Sequence, residues 1–353
     1  MSRLADLTTL RLGGPARRLV AATTEAEVLD AVRAADAAGE PLLVLAGGSN
    51  VVVADEGFPG TVVHVLTSGV EAEGETLRVQ AGEPWDPFVE RCVRDGLAGV
   101  ECLSGIPGSV GATPIQNVGA YGQEVSETVT AVRAYDRALR EVFTFAPEEC
   151  EFAYRSSVFK RNPGRWVVLA VTFALERSEL SAPIRYAELA RALDTETGER
   201  APLAHVREAV LELRRRKGMV IDPADPDSVS AGSFFTNPIL DAGAFAALER
   251  RVAERLGPDQ QLPRWPEAGG RTKTSAAWLI ERAGFAKGHG DPATIAISAK
   301  HTLALTNRGA GTTEQLVALA REIADGVREA FGVDLQPEPV FVGHEWRTTA
   351  KTP

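Results

Sequence analysis

The apolar residues near the start of the chain change from helical to strand-like spacing. Thr24 and Glu27 have the T-x-x-E spacing of a helix capping box, and Val28, Val32 and Ala35 then recur on one helical face. Short apolar runs follow this helix, and they predict buried strands over residues 41–46, 51–53 and 61–66. The first 66 residues are therefore predicted to form a small α/β unit with a glycine-rich turn in its middle.

The same patterns continue through the rest of the chain. Alternation predicts a strand over residues 76–81, a helix is expected after Pro84, and residues 129–175 are rich in strand-forming runs. A further helix ends near Lys217, and the proline- and aspartate-rich segment 222–227 is typical of a domain linker. Beyond this linker the pattern predicts helices over residues 241–256 and 275–283, strands over 294–298, 302–306 and 340–342, and a long helix that begins with the Thr312–Gln315 capping box.

Residues 104–122 fit neither pattern. They contain five glycines and two prolines in 19 residues, which is too long and too rich in glycine for a regular element. Loops of more than about 12–15 residues are usually functional or disordered. Because this loop is largely uncharged and partly apolar, we interpret it as ordered against a ligand.

A second glycine-rich segment, the turn over residues 46–50, follows a predicted strand. Gly47 and Gly48 allow backbone amides to converge on an anion without interference from a Cβ atom, and Ser49 and Asn50 add hydrogen-bonding side chains. The alternative is a simple turn that connects two strands. The chain contains neither the Walker motif G-x-x-x-x-G-K-[ST] nor G-x-G-x-x-G, so a Rossmann dinucleotide site is not supported.

Composition and charge narrow the class of protein. The 353 residues are 44% hydrophobic and 24% charged with a formal net charge of −10, which argues against a general nucleic-acid binder. No secretory signal is visible at the start, and no apolar run approaches the ~20 residues of a membrane helix. The three cysteines form no C-x-x-C pair, and the five histidines show no metal-ligand spacing. We therefore expect a cytoplasmic α/β protein without a metal site.

Five motifs, in order along the chain, carry a specific resemblance. They are L-V-L-A-G-G-S-N at 43–50, G-I-P-G-S-V-G-A-T-P-I-Q-N-V-G-A-Y-G at 105–122, Y-R-S-S-V-F-K at 154–160, A-G-S-F-F-T-N-P at 231–238 and L-Q-P-E at 335–338. Together they resemble the UDP-N-acetylenolpyruvoylglucosamine reductase family, the flavoenzymes of peptidoglycan precursor synthesis. The S-F-F and Y-R-x-S-x-F-K signatures are highly specific, whereas the glycine turn alone is not.

The resemblance implies an α+β fold of three domains. Two domains would form an FAD-binding unit of the PCMH/vanillyl-alcohol-oxidase type, over residues 1–66 and 67–216, and a smaller α/β substrate-binding domain would cover residues 217–331. Residues 332–353 are expected to return to the first domain, so that the C-terminal strand carries Glu338 back to the flavin.

The resemblance also implies non-covalent FAD, with NADPH as the co-substrate. Covalent relatives attach flavin through His or Cys, often in the equivalent turn, but residues 46–50 contain neither. Gly47, Gly48, Ser49 and Asn50 are implied at the pyrophosphate. The residues implied along the flavin come from the long loop over residues 104–122: Ser104, Ile106, Pro107, Gly108, Gly111 and Gly119.

The implied reaction passes a hydride from N5 of the reduced flavin to C3 of the enolpyruvyl ether, while Ser233 donates a proton to C2. Negative charge develops on the substrate carboxylate, so Arg155 is implied as the stabilising arginine and Glu338 as the acidic partner near the same carboxylate. The implied substrate-binding residues are Tyr121, Tyr186, Lys217, Asn237 and Lys273. Of these, Tyr186 resembles the mobile tyrosine of the subtype that carries an extra insert.

Two other functions stay open on the residues alone. An oxidase of the same FAD-binding superfamily would reoxidise its flavin with O2 and would not need Ser233 as an acid. A non-enzymatic flavin- or nucleotide-binding module would bind its ligand without consuming NADPH. The matched Arg155, Ser233 and Glu338 favour the reductase, which we expect to act as a monomer on its nucleotide-sugar substrate, without a nucleic-acid or membrane partner.

Overall fold

The computed structural model of the protein describes residues 2–346, which contain both helices and strands throughout. The helices are α1 (Glu25–Ala37), α2 (Trp85–Arg94), α3 (Val158–Arg161), α4 (Ala187–Ala192), α5 (Leu203–Arg216), α6 (Ala242–Leu256), α7 (Ala276–Ala283) and α8 (Thr313–Phe331). The first ten strands are β1 (Ala16–Ala22), β2 (Leu42–Leu45), β3 (Val51–Val53), β4 (Phe58–Val65), β5 (Val70–Glu73), β6 (Thr76–Gln80), β7 (Leu97–Ala98), β8 (Gly119–Ala120), β9 (Gln123–Glu124) and β10 (Val129–Asp136). The others are β11 (Glu141–Phe145), β12 (Trp166–Ala174), β13 (Glu176–Arg177), β14 (Ser230–Ser233), β15 (Ile239–Leu240), β16 (Arg264–Glu267), β17 (Arg271–Thr274), β18 (Ile295–Ile297), β19 (Ala304–Asn307) and β20 (Val340–Val342).

The described residues form two compact units. The first unit contains residues 2–3, 15–48 and 58–221, and the second contains residues 4–14, 49–57 and 222–346. The chain leaves the first unit for the last time at Ile221, next to the proline- and aspartate-rich segment. The three-domain boundaries drawn from the sequence stay a prediction.

The first unit is built on a parallel and an antiparallel sheet. Strands β1, β4 and β2 pair in parallel, in that order, and α1 packs against them through its buried face. The five-stranded antiparallel sheet has the order β11-β10-β12-β6-β5. Trp85 and Phe88 of α2 lie against Phe173 of β12, with ring centroids 5.2 to 6.0 Å apart, so large aromatic side chains fill the space between helix and sheet.

A separate apolar cluster in the first unit holds α4 and α5 together. Leu189 of α4 and Val206 and Val210 of α5 are buried with Ile184 of the preceding segment. This cluster fixes the start of α4, where Tyr186 lies, and the end of α5, which is followed by Lys217.

Within the described residues, the second unit contains three small sheets together with helices α6, α7 and α8. The sheet orders are β14-β19-β18 and β15-β17-β16, and β20 pairs in parallel with β3. The apolar face of α8 is buried through Leu316, Ala320, Ile323 and Val327, and Phe234 belongs to the same core. Because β3 lies within the first 66 residues, its pairing with β20 ties the end of the described chain to its beginning.

Both capping boxes predicted from the sequence are present. The Thr24 hydroxyl accepts from the Glu27 amide at the start of α1, and the Thr312 hydroxyl accepts from the Gln315 amide at the start of α8. Among residues 2–346, no helix combines the length and the apolar composition that a membrane span requires.

Candidate active site

The glycine turn and the long glycine-rich loop meet in the first unit. A Cβ atom on Gly47 would lie 2.7 Å from Gly108 Cα and 3.0 Å from the carbonyl carbon of the same residue. Contacts this short do not occur for real Cβ atoms, so any larger residue at position 47 would push the two backbones apart. We call residues 47–48 and 106–109 the amide cradle.

The amide cradle presents hydrogen-bond donors that the protein itself does not use. Within the described residues, the amides of Gly47, Gly48, Ile106, Gly108 and Ser109 donate to no protein acceptor. The Ser109 hydroxyl is buried and likewise has no hydrogen-bond partner. Gly48 and Ser109 are buried, whereas Gly47 is exposed and Ile106 and Gly108 are half-buried. Buried donors are nearly always satisfied in folded proteins, so the unused donors of Gly48 and Ser109 indicate an anionic ligand. The residues present therefore fit the pyrophosphate of a dinucleotide such as FAD.

Residues on either side of 106–109 in the long loop are held in place by contacts of their own. The Ser104 hydroxyl donates to the Glu101 carbonyl at 2.7 Å and is fully buried. Gly111 packs on Ala81, which a Cβ atom on the glycine would approach to 2.5 Å, and its amide donates to the Ala81 carbonyl. Pro107 lies within the amide cradle itself.

Arg155 lies in a tight turn of the first unit, held in an unusual backbone conformation. Two hydrogen bonds of 3.0 Å between Ala153 and Ser156 close the turn, and Arg155 has φ +50°, a region that residues other than glycine rarely occupy. Its Nη2 atom donates to the Gly119 carbonyl at 2.7 Å, and its guanidinium lies 5.2 Å from the centre of the Tyr154 ring. A Cβ atom on Gly119 would come within 3.1 Å of Arg155 Nη1, so glycine at 119 leaves room for the guanidinium.

Three of the predicted substrate-binding residues come together in the first unit. The rings of Tyr121 and Tyr186 meet edge to face with centroids 5.5 Å apart, and the Lys217 ammonium lies 5.7 Å from the centre of the Tyr121 ring. Burial raises the pKa of Tyr121 to about 12, so this phenol stays neutral at physiological pH. Lys217 is paired with Glu188 of α4 at 2.6 Å.

Ser233 lies in the second unit, at the end of β14. Gly232 has φ +74°, and the pairing of β14 with β19 is irregular between Ser230 and Ser233. The Ser233 hydroxyl oxygen lies 3.4 Å from His301 Nε2.

Glu338 is hydrogen-bonded to the segment that follows Ser233 in the second unit. Its amide donates to the Phe234 carbonyl at 2.8 Å, and the Thr236 amide donates to the Gln336 carbonyl at 3.0 Å. Asn50 is joined to the same segment, because its Nδ2 donates to the Glu338 carbonyl at 3.4 Å and its carbonyl accepts from the Val340 amide.

The other predicted residues of the second unit are engaged within it. The carbonyl of Ser49 accepts from the Thr9 hydroxyl at 3.4 Å. Asn237 Oδ1 accepts from the Ala276 amide at 3.0 Å, at the first residue of α7. Lys273 of β17 pairs with Glu267 at 2.5 Å.

The structure thus brings the predicted residues together in groups. Asn50, Ser233 and Glu338 share the second unit, whereas Arg155 belongs to the first unit with the amide cradle. Sequence reasoning missed His301, because nothing in the sequence links a histidine to a serine 68 residues earlier. It also missed Glu188 and Glu267, the carboxylates that neutralise the two predicted lysines.

The cysteine thiols of the chain are buried. Cys92, Cys102 and Cys150 are free and buried, and burial raises the pKa of Cys92 and of Cys150 to about 12 and that of Cys102 further. Among residues 2–346, no group of three His, Cys, Asp or Glu side chains is placed to hold a metal ion.

Comparison with known proteins first defines the class of this protein. Residues 16–142, which contain both segments of the amide cradle, match the family model described as "FAD binding domain". The chain is therefore an FAD-binding protein, and FAD fits the donors described above. Residues 223–342 match the model described as "UDP-N-acetylenolpyruvoylglucosamine reductase, C-terminal domain".

Full-length relatives define the family. The chain is 60% identical to the UDP-N-acetylenolpyruvoylglucosamine reductase of Streptomyces avermitilis over 97% of this chain and 94% of the relative. It is 59% identical to the enzyme of the same name from Thermobifida fusca, with 96% of each chain covered. The crystal structure of the Thermus caldophilus reductase matches with a TM-score of 0.66 at 26% identity, covering 97% of both chains. This chain belongs to the UDP-N-acetylenolpyruvoylglucosamine reductase family, which confirms the resemblance and the α+β fold expected from the motifs.

Proposed function

We propose that this chain reduces the enolpyruvyl ether of UDP-N-acetylglucosamine to the lactyl ether, UDP-N-acetylmuramate, with FAD as cofactor and NADPH as co-substrate. This reaction supplies a precursor of peptidoglycan. The observation that carries the proposal combines two features. The first unit has unused donors that suit FAD, and in the second unit the Glu338 amide donates to the carbonyl of Phe234, the residue after Ser233.

When bound, FAD supplies the hydride chemistry that links NADPH to the substrate. The amides of Gly47, Gly48 and Ser109 would hold its pyrophosphate, and the buried Ser109 hydroxyl would gain the partner that it lacks within the protein. The turn 46–50 offers no His or Cys for covalent attachment. We therefore propose that the flavin is held by non-covalent contacts alone.

Arg155 would stabilise the charge that develops during hydride addition. Addition at C3 moves electron density through C2 into the substrate carboxylate, and a planar guanidinium can meet that carboxylate with two hydrogen bonds. The fixed turn and the contact with the Gly119 carbonyl keep the Arg155 side chain ordered before the substrate arrives. Glu338 is proposed as the acidic partner at the same carboxylate.

Ser233 would donate the proton that completes the reduction. A serine hydroxyl is a poor acid in water, but the carbon that it protonates is a far stronger base than ordinary acceptors. The position of Ser233 at the end of a paired strand suits a donor that must face one carbon atom.

The nucleotide part of the substrate needs local positive charge on an acidic protein. Lys217 and Lys273 are proposed to meet the diphosphate, together with Asn237 and the two tyrosines, Tyr121 and Tyr186. Since Glu188 and Glu267 already neutralise these lysines, the diphosphate must compete with both carboxylates. We further propose that the enzyme is a cytoplasmic monomer, and the three free thiols are consistent with a reducing compartment.

The two half-reactions of Ser233→Ala test the proposal. In anaerobic stopped-flow experiments, NADPH should reduce the flavin of the variant at the wild-type rate. Reoxidation by the enolpyruvyl nucleotide sugar should slow by ~10²–10⁴-fold, the usual contribution of a positioned proton donor. Ser68→Ala, at an exposed serine between β4 and β5, is the matched control and should behave as wild type. Equal reoxidation in Ser233→Ala and wild type would remove Ser233 from the mechanism.

A further inference from the structure

The contact between Ser233 and His301 has no role in the scheme above. We propose that His301 is a positioning residue that orients the Ser233 hydroxyl and returns a proton to it after Ser233 has protonated the substrate. The inference rests on Ser233 being the proton donor, as proposed for the reaction. The carrying observation is the 3.4 Å separation between Ser233 Oγ and His301 Nε2.

Backbone pairing brings the two residues together. Ser233 lies opposite Ala304 in the antiparallel pairing of β14 with β19, and the Phe234 amide donates to the Leu303 carbonyl at 2.7 Å. The Ala304 amide in turn donates to the His301 carbonyl at 3.0 Å, which closes a tight turn directly before β19. The position of His301 relative to Ser233 is therefore set by main-chain hydrogen bonds.

A second set of hydrogen bonds fixes the segment before this turn. The Ser298 hydroxyl accepts from the amides of Lys300 and His301, at 3.0 and 3.2 Å. The Ala299 amide donates to a carboxylate oxygen of Asp227, a buried residue that also pairs with Arg308 at 2.8 Å. An anchored backbone limits the positions that the imidazole ring can adopt, which suits a side chain that must meet one hydroxyl.

The proton balance explains why a serine proton donor needs a neighbouring group that can return a proton to it. Loss of the hydroxyl proton to C2 would leave an alkoxide, which is a very unfavourable product for an isolated serine. An imidazolium at His301 can pass its Nε2 proton to Ser233 Oγ as the O–H bond breaks. The serine is then neutral again, the imidazole is neutral, and one proton has moved from histidine to C2. Histidine regains its proton from water, and no oxidant or reductant is consumed.

The charged groups near this turn are themselves paired or hydrogen-bonded. Lys300 pairs with Asp225 at 2.8 Å, and Asp227 pairs with Arg308. Glu281 of α7 accepts from the hydroxyl of Thr302 at 2.5 Å. Despite the burial of Asp227, hydrogen bonds from Ser298 and the Ala299 amide, together with Arg308, lower its pKa. A change in the reoxidation rate between about pH 5 and 8 therefore reports the histidine.

His301→Gln and His301→Ala separate positioning from proton return. In the wild type, reoxidation by substrate should slow as the pH rises from about 5 to 8, because the imidazolium loses its proton. Glutamine keeps a donor for Ser233 but cannot titrate, so reoxidation in His301→Gln should be about tenfold slower and should not show this pH dependence. Alanine removes both roles and should slow reoxidation by about 10–100-fold. Flavin reduction by NADPH should be unchanged in both variants. His289→Gln is the matched control, since His289 pairs with Glu322 at an exposed position.

Two further measurements test the link between His301 and Ser233, and the second of them does not depend on turnover. In the double variant Ser233→Ala/His301→Ala, reoxidation by substrate should be no slower than in Ser233→Ala alone, because both side chains act on the same proton. In the ¹⁵N NMR spectrum of the imidazole rings, the signal that His301→Gln removes should shift in Ser233→Ala. The thermal midpoint of each variant checks that it is folded.

Different results would overturn this inference and the proposed function. Wild-type reoxidation in His301→Ala, an unshifted histidine signal, or full additivity in the double variant would overturn the role of His301. A change in substrate affinity without a change in the reoxidation rate would also overturn it. Normal reoxidation in Ser233→Ala would instead refute Ser233 as the donor, whatever His301 does.

Discussion

Gly47→Ala tests the amide cradle through a contact that the structure defines closely. Gly47 does not have a positive φ, so alanine can adopt its backbone conformation and only the added methyl group matters. That methyl group would lie 2.7 Å from Gly108 Cα, about 0.7 Å short of the 3.4 Å at which ordinary contact begins. Because the opposing atoms belong to the backbone, no side-chain rotation can relieve the overlap.

The size of the effect follows from the cost of overpacking. Extra methyl groups in well-packed regions cost about 1–3 kcal/mol, and here the strain is relieved by separating residue 47 from residue 108. Separation moves the donors of the cradle away from a shared anion. If the whole strain energy is subtracted from the binding free energy of FAD, FAD affinity falls by about 5–150-fold.

Titration of the apoprotein with FAD, followed by flavin fluorescence, measures this affinity. The thermal midpoint of the apoprotein should fall by a few degrees, which shows that the variant still folds. Gly243→Ala in α6 is the control, because its Cβ would lie 3.4 Å from the nearest atom, Asp241 Oδ1, and should leave FAD binding unchanged. Wild-type FAD affinity in a folded Gly47→Ala variant would refute the cradle as the pyrophosphate site.

Two further predictions concern the cofactor and the thiols. Acid precipitation should release all of the flavin into the supernatant, since the turn 46–50 has no His or Cys to bond it, and a pellet that stays yellow would contradict this. Native protein at about pH 8 should react only slowly with a disulfide reagent, because burial raises the pKa of Cys92 and Cys150 to about 12, and all three thiols should react in denaturant; fast labelling of the native protein would show that these cysteines are accessible.

The long regular elements were predictable because their signals are local. Capping boxes at Thr24 and Thr312 mark the starts of α1 and α8, and the alternation over residues 76–81 coincides with β6. Such patterns depend on neighbours within a few residues, and burial of one face then completes the element.

Short elements could not be predicted from the sequence, because contacts with the rest of the fold stabilise them. Helix α4 has only six residues, and its start at Tyr186 has no side-chain cap. It is held by burial of Leu189 against α5, a contact between residues far apart along the chain. The left-handed backbone at Arg155 could not be foreseen either, since arginine has no intrinsic preference for it.

Only those residues of the candidate site that lie in recognisable sequence motifs could be predicted. Gly47, Arg155, Ser233 and Glu338 were identified by their neighbours in sequence, and their roles stay predictions. His301 has no such motif and reaches Ser233 only through the return of β19 beside β14. The unused donors of the amide cradle also required the structure, because an amide shows its missing partner only when the surrounding fold is known.

The central claim is that the reduced flavin of this chain delivers its electrons to the enolpyruvyl nucleotide sugar. The most direct test is anaerobic: the flavin is reduced with one equivalent of NADPH, and the substrate is then mixed in while flavin absorbance is followed. We expect complete reoxidation, with one lactyl ether formed for each NADPH consumed. Flavin that stays reduced with the substrate, yet reoxidises rapidly when air is admitted, would contradict it and indicate an oxidase instead.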